Sequence, residues 1–241
     1  MKRLDILVCE QLNVSREYAK EIILSGRCAL AGKVILKPGA KFPAGLPIEI
    51  SAEKLPYVSR GGLKLAHALD KFNIKLSGLK CLDIGASTGG FTDCMLQRGA
   101  SIVVALDNGH GQLDEKLRQN HRVIPMERAN IMDVTPGHLP FAPHFAAVDL
   151  SFISLLRVIP KVSCILVPGC KAVFLLKPQF ECGPKAINKK GVVKSLSVHI
   201  GAVERVFSAL VNYGFHIHNM DFSPITGQNG NTEYLIFVER M

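Results

Sequence analysis

Four charged side chains, far apart along the chain, have the types and settings of a proton-handling site: Lys64, Asp149, Lys177 and Glu233. Asp149 lies at the end of an apolar run, Phe145 to Leu150, and Lys177 directly follows another, Ala172 to Leu176. Both runs read as buried strands, and open α/β sheets place their working groups at the carboxyl ends of strands. Glu233 stands at the start of the last strand-like run, Thr232 to Val238, which in such a sheet runs back beside the strand ending in Leu176. Lys64 sits on the helix that precedes the first strand. A buried lysine flanked by another cation gives up its proton more readily, so Lys177 is the candidate base near neutral pH and Asp149 the group that orients it. Each residue taken singly is equally well read as half of a surface salt bridge. It is the combination that points to chemistry.

A second constellation, Cys81 to Asp93 (CLDIGASTGGFTD), has the character of a ligand loop. Its apolar run leads to Asp83 and then to Gly85, Gly89 and Gly90, which let the backbone turn sharply and approach a ligand closely. The spacing, D-x-G-x-x-x-G-G-F, is not the G-x-G-x-x-G of dinucleotide sites. About twenty residues on, Asp107 ends the next strand, where an acid can accept from both ribose hydroxyls of an adenosine; before Asn108-Gly109 it also reads as a turn residue. Asp133, after Asn130, either accepts from an adenine amino group or caps the turn before Thr135-Pro136. The candidate contacts to a nucleotide-like cofactor are Asp83, Gly85, Ser87, Gly89, Gly90, Phe91, Asp107, Asn108, Asn130 and Asp149.

A sheet must hold these groups together. Lys80 to Ile84, Ser101 to Leu106, Val123 to Met126, Phe145 to Leu150 and Ala172 to Leu176 read as strands. Helices through Cys94 to Leu96, over Gln112 to Gln119 and over Leu155 to Leu166 alternate with them, the last despite Pro160. Such alternation predicts a parallel sheet. A helix bearing Leu65, Ala68, Leu69 and Phe72 comes first; a helix from His199 to Tyr213 and two strands, His216 to Phe222 and Thr232 to Val238, come last. The final pair is expected to be antiparallel. Gly183 to Ser195 carries four lysines and no apolar period, and reads as a mobile basic loop.

Residues 1–51 form a separate basic unit, with 52–58 as a linker marked by Pro56 and 59–241 as the larger domain. The spacing predicts a short helix from Leu4 to Val14. Ser15 caps a second helix, Arg16 to Ser25, which Gly26 ends. Short β segments follow at 28–30, 34–36 and 48–50. The candidate nucleic-acid contacts are Arg3, Arg16, Lys20, Arg27, Lys33, Arg60, Lys189 and Lys190, although basic side chains are also what a plain solvated face carries.

The small unit resembles S4-type RNA-binding domains in Arg3-Leu4-Asp5, Ser15-Arg16, Ala19, Ile22, Ser25-Gly26-Arg27, Gly32-Lys33, Lys37-Pro38 and Gly45. The glycine loop resembles the S-adenosylmethionine loop of Rossmann-like methyltransferases. The strings Arg60-Gly61-Gly62-Leu63-Lys64-Leu65, Asp149-Leu150-Ser151-Phe152, Leu176-Lys177-Pro178-Gln179-Phe180-Glu181 and Gly230-Asn231-Thr232-Glu233-Tyr234 resemble the Lys-Asp-Lys-Glu tetrad of FtsJ/RrmJ-type ribose 2′-O-methyltransferases. The combination resembles the TlyA, or hemolysin A, family over essentially the whole chain. The resemblance implies an α/β fold: a seven-stranded Rossmann-like methyltransferase sheet, last strand antiparallel, with a small N-terminal α+β unit. It also implies S-adenosylmethionine as cofactor, and cytidine in ribosomal RNA of a ribosomal subunit as substrate. Because the chain stops at Met241, directly after the last predicted strand, the shorter form of the family, restricted to the large subunit, is expected.

Bulk properties limit the alternatives. A net charge of +9 favours a polyanionic partner, and 48% hydrophobic residues are enough for a real core. The cysteine count is seven, odd, with no C-x-x-C pair for zinc, so no metal is expected and a reducing compartment, the cytoplasm, is. Charges interrupt the first apolar stretch, which excludes a signal peptide, and no membrane span is expected. The expected oligomeric state is a monomer. No Pro-Cys pair exists for a cytosine-5 mechanism, and the loop after Asp149 lacks the Pro-Pro-aromatic pattern of exocyclic-amine enzymes. A non-catalytic RNA-binding protein would need neither glycine loop nor tetrad, and a hemolysin is suggested only by the family label.

Overall fold

A computed structural model describes residues 1–14, 16–24, 27–51, 56–227 and 230–241. The Ser15 cap, the Ser25-Gly26 helix end and residues 52–55 of the expected linker lie outside the described residues. Contacts divide the chain into Met1–Arg60 and Gly61–Met241.

In the first unit, β1 (Lys2–Arg3) leads into α1 (Leu4–Leu12) and α2 (Arg16–Leu24). Leu4, Leu7 and Val8 of α1 pack against Tyr18, Ala19, Ile22 and Ile23 of α2, with Cys28 and Ile48 closing the cluster. Strands β2 (Cys28–Leu30), β3 (Lys33–Val34) and β5 (Glu49–Ile50) form a sheet in the order β3-β2-β5, while β4 (Lys41–Phe42) pairs with β1. The strand expected at 34–36 is cut short: it pairs only at Lys33 and Val34, and Leu36 is exposed. Asp5, fully buried, accepts from Arg3 Nε and Nη2 at 2.9 Å each and from Arg16 Nε at 3.1 Å. The Arg3 hydrogen bonds, aided by Arg16, hold its carboxyl at about 2, well below the usual carboxylate range.

In the second unit, α3 (Gly61–Lys71) precedes β6 (Lys80–Ile84), α4 (Gly90–Gln97), β7 (Ile102–Leu106), α5 (Glu115–Arg118), β8 (Val123–Met126), β9 (Phe145–Val148), α6 (Leu155–Ile165), β10 (Lys171–Leu176), α7 (Pro178–Glu181), α8 (Leu196–Asn212), β11 (Phe215–Phe222) and β12 (Tyr234–Arg240). The strand order is β11-β12-β10-β9-β6-β7-β8, and β12 alone runs opposite to the other six. Strands such as β9 and β10 are buried on both faces, as a sheet covered by helices requires. The helix expected over 112–119 is only α5, which starts where the Asp114 side chain caps Lys116 N–H. Pro160 leaves α6 unbroken.

Gly183 to Ser195 is a loop with local order: a 3₁₀ turn spans Pro184–Ala186, and Ile187 bridges Val193. Asn188 Oδ1 accepts from the N–H groups of Lys190 and Val192 at 2.8 and 3.0 Å. Val193 is buried. The absence of an apolar period hid this, because polar side chains and backbone, not a hydrophobic face, organise the segment.

Candidate active site

Register brings the four charged residues to one edge. Phe174 of β10 pairs with Val148 of β9 in parallel, so Lys177 and Asp149 emerge from neighbouring strand ends. Leu176 pairs with Tyr234 in antiparallel register, so Glu233 arrives beside Lys177 from the opposite direction. Lys64 lies on the buried face of α3. The result is two ion pairs: Lys177 Nζ to Asp149 Oδ1 at 2.5 Å and Lys64 Nζ to Glu233 Oε2 at 2.5 Å. Lys64, Lys177 and Glu233 are all at most 8% exposed. Lys177 also donates to Ser151 Oγ at 2.9 Å. The immediate partner of Lys177 is thus the Asp149 carboxylate, and Lys64 is paired with Glu233.

The glycine loop turns over the crevice between β6 and β9, where the strand order reverses and α/β sheets bind ligands. Gly85 has φ +90, and a Cβ there would collide with the Asp149 carbonyl. That close approach leaves the loop room only as glycine, and it ties the loop to the strand end carrying the Lys177 pair. Asp107 directly follows β7 beside the same loop: its Oδ2 accepts from Ser87 N–H at 2.7 Å and its Oδ1 from Gly109 N–H at 2.6 Å. Each oxygen retains a lone pair for a hydroxyl. Ala129 N–H bonds the Asp107 carbonyl at 3.0 Å, which brings the exposed Asn130 next to the same loop; Asn108 is exposed too. Asn130 Oδ1 already accepts from Met132 N–H at 3.0 Å. Asp133 is exposed.

Three of the expected cofactor contacts are buried. Phe91 is 3% exposed and Gly90 is buried as the first residue of α4. Asp83 is fully buried, its Oδ2 accepting from Thr92 Oγ1 at 2.6 Å and its Oδ1 without a partner. Burial pushes the Asp83 carboxyl up to about 7, against the Thr92 hydrogen bond and with a further push from Asp149.

Of the expected RNA contacts, Arg3 and Arg16 are anchored by Asp5 yet keep 41% and 49% of their side chains exposed. The Arg27 guanidinium lies 6.0 Å from the Tyr18 ring. Lys33 is exposed, while Lys20 and Arg60 are half-buried; in the second unit, Lys189 and Lys190 are exposed at the turn after Asn188.

Several functional candidates escaped the sequence reading. Ser151 contacts Lys177. Phe152, 89% exposed with φ +65, stands one residue further on, its ring 5.4 Å from that of Phe180. Both aromatics lay in strings already singled out for Asp149 and Lys177, so their position was the available signal. Glu181 accepts from Ser154 Oγ at 2.5 Å and Leu155 N–H at 2.7 Å, holding the start of α6; no local spacing announces it. Burial raises Cys81 and Cys170 to about 12, so neither thiol is a nucleophile near neutral pH. Among the described residues, no group of three His, Cys, Asp or Glu could hold a metal, and no helix is long and apolar enough to cross a membrane.

The FtsJ-like methyltransferase family matches residues 57–240. A Bacillus subtilis protein named as a candidate rRNA methyltransferase, YqxC, is 44% identical over 237 residues, 98% of this chain and 84% of that one. The Mycobacterium tuberculosis 16S/23S rRNA (cytidine-2′-O)-methyltransferase TlyA is 38% identical over 234 residues, covering 96% and 87%. Among solved structures, a candidate hemolysin from Streptococcus thermophilus superposes with a TM-score of 0.82 at 44% identity, over 100% of this chain and 88% of that one.

Proposed function

The chain belongs to the FtsJ-like methyltransferase family, in its TlyA branch, and from that premise we propose that it methylates the ribose 2′-hydroxyl of a cytidine in ribosomal RNA. The observation that carries this reading is the pair of lysine–carboxylate contacts at the strand ends beside the Gly85 loop. S-adenosylmethionine, when bound, supplies an electrophilic methyl group on a sulfonium. The Gly85–Gly89 backbone, Ser87 and the free lone pairs of Asp107 suit its amino-acid and ribose parts, with Asn108 and Asn130 near the base.

Lys177, held by Asp149 and Ser151, sits where it can take the proton of the 2′-hydroxyl as that oxygen attacks. It must be neutral to do so, and Asp149 keeps the amine aimed while its own proton is away. Lys64, fixed by Glu233, contributes positive charge to the developing alkoxide. Holding hydroxyl and methyl donor in line removes much of the entropic part of the barrier. The exposed Phe152, backed by the half-buried Phe180, offers a ring face on which the target base stacks once it leaves its helix. In the first unit, an S4-type RNA-binding domain in this reading, Arg3, Arg16, Lys20, Arg27, Lys33 and Arg60 meet phosphates of the folded RNA.

The test is methyl transfer from labelled S-adenosylmethionine to ribosomal subunits and to their naked RNA, with the site mapped by primer extension at low nucleotide concentration. A label confined to alkali-resistant cytidine dinucleotides supports the reading. Label on a base, or none on either subunit, sinks it. Mapping on both subunits decides which one is the substrate.

A further inference from the structure

The basic segment 183–195 and the strand end that delivers Glu233 are joined by one buried carboxamide. Asn231 is 2% exposed. Its Oδ1 accepts from Val193 N–H at 3.1 Å, and its Nδ2 donates to the Gly191 carbonyl at 2.9 Å. Its own carbonyl accepts from Gly227 N–H at 2.8 Å. A second tie runs parallel: Tyr234 OH bonds His199 Nδ1 at 2.9 Å, and His199 Nε2 bonds the Val193 carbonyl at 3.2 Å. Val193 is therefore gripped through both its N–H and its C=O by residues flanking, or reaching, the Glu233 position. Beyond the grip, Gly191 N–H returns to the Asn188 carbonyl at 2.9 Å, and Lys189 and Lys190 stand exposed at the tip of that turn.

We propose that Asn231 is a positioning residue: it locks a preformed phosphate-binding turn, tipped by Lys189 and Lys190, to the backbone that presents Glu233 to Lys64. A buried amide that satisfies one donor and one acceptor of another segment fixes that segment's register, because losing it leaves the buried Val193 N–H and the half-buried Gly191 carbonyl without their partner. RNA phosphate held at the turn is thereby placed at a fixed offset from the Lys64–Glu233 pair. The proposal rests on the methyl-transfer reading for its catalytic half and on geometry alone for its structural half.

The two halves are tested separately in the full-length protein. Amide hydrogen exchange of the natural chain should show Val193 N–H strongly protected, and Asn231→Ala should speed both that exchange and tryptic cleavage after Lys189 or Lys190. For catalysis, Asn231→Ala should lower kcat by about tenfold or more, the scale of a misplaced reacting group. Lys189→Ala/Lys190→Ala should raise KM for RNA and lower kcat in the natural chain, yet lower kcat no further once Asn231 is Ala. Asn231→Asp, equal in size but unable to donate to Gly191, should behave as the alanine variant does and serves where that variant fails to fold. A Val193 amide that exchanges like open chain in the natural protein overturns the clamp. Losses in kcat that simply multiply, as for independent sites, overturn the coupling. A natural chain that transfers no methyl group to ribosomal RNA overturns the function while leaving the exchange and cleavage results to decide the clamp.

Discussion

The Lys177 ammonium stands 2.5 Å from Asp149 Oδ1, across the ends of two parallel strands, and donates to Ser151 Oγ at 2.9 Å. An amine held on two sides by residues of one short loop has little freedom to serve as a plain surface cation.

Lys177→Ala should lower kcat by roughly 10²- to 10⁴-fold, the usual share of a general base, with little change in cofactor affinity. Lys177→Arg should not restore the rate, because a guanidinium does not give up its proton. Asp149→Asn should fall between Lys177→Ala and the natural protein, since the amide can still orient the amine. Single-turnover methyl transfer checks all three; full-rate transfer by the alanine variant would remove Lys177 from the chemistry.

The Lys64–Glu233 pair makes a different kind of prediction, because both members are buried. Glu233→Gln leaves Lys64 without its counter-charge, and breaking a buried pair costs about 3–5 kcal/mol of stability. Removing both charges as Lys64→Met/Glu233→Leu should recover most of that loss, without recovering methyl transfer. Urea unfolding followed by circular dichroism suits a chain with no tryptophan. Equal stability of Glu233→Gln and the natural protein would show that the pair is solvated.

How much of this was legible beforehand follows from where each signal lives. The β6 strand and the glycine loop were readable because apolar residues, an acid and glycines crowd into one short stretch. Register followed as well: Asp149 and Lys177 each stand just past an apolar run, and parallel pairing brings such ends together. Contacts made by isolated polar residues left no such trace. Asn231 reaches Gly191 and Val193, and Glu181 reaches Ser154, across long separations with no periodicity to reveal them. Phe91 and Asp83 sit within the loop motif, but the motif does not say which side chains turn inward, and both are buried. Asp5, an ordinary acid at the start of α1 in the sequence, is the buried anchor for two arginines.

Asp83 predicts a pH dependence of stability. Its carboxyl keeps a proton up to about 7 in the folded protein, while an unfolded aspartate sheds it near 4. Between those values the unfolded chain binds fewer protons, so this group's contribution is full below about pH 4. It is lost as pH rises through about 7, with a slope of at most about 1.4 kcal/mol per pH unit. Asp83→Asn removes the titration and keeps an acceptor for Thr92. The variant should gain on the natural protein steadily from pH 4 to 7 and hold its advantage at pH 8. Parallel stability curves across that range would mean that Asp83 is ionised and compensated in the folded state.

Phe152 predicts a loss of activity without a loss of fold. Its side chain is 89% exposed, so Phe152→Ala should change stability by no more than about 0.5 kcal/mol. A large apolar ring left in water at a positive φ, in contact with Phe180 and one residue from Ser151, is better explained by a partner that covers it than by packing. Stacking of one base on an aromatic ring is worth about 1–3 kcal/mol, so kcat/KM for RNA should fall by roughly 5- to 150-fold in the alanine variant. Phe152→Tyr, which keeps the ring face, should retain most of the rate. Cofactor affinity, measured by calorimetry, should stay the same in both variants. If the alanine variant methylates as fast as the natural protein, the target base is held elsewhere, and Phe152 is an exposed residue of the loop after β9 and nothing more.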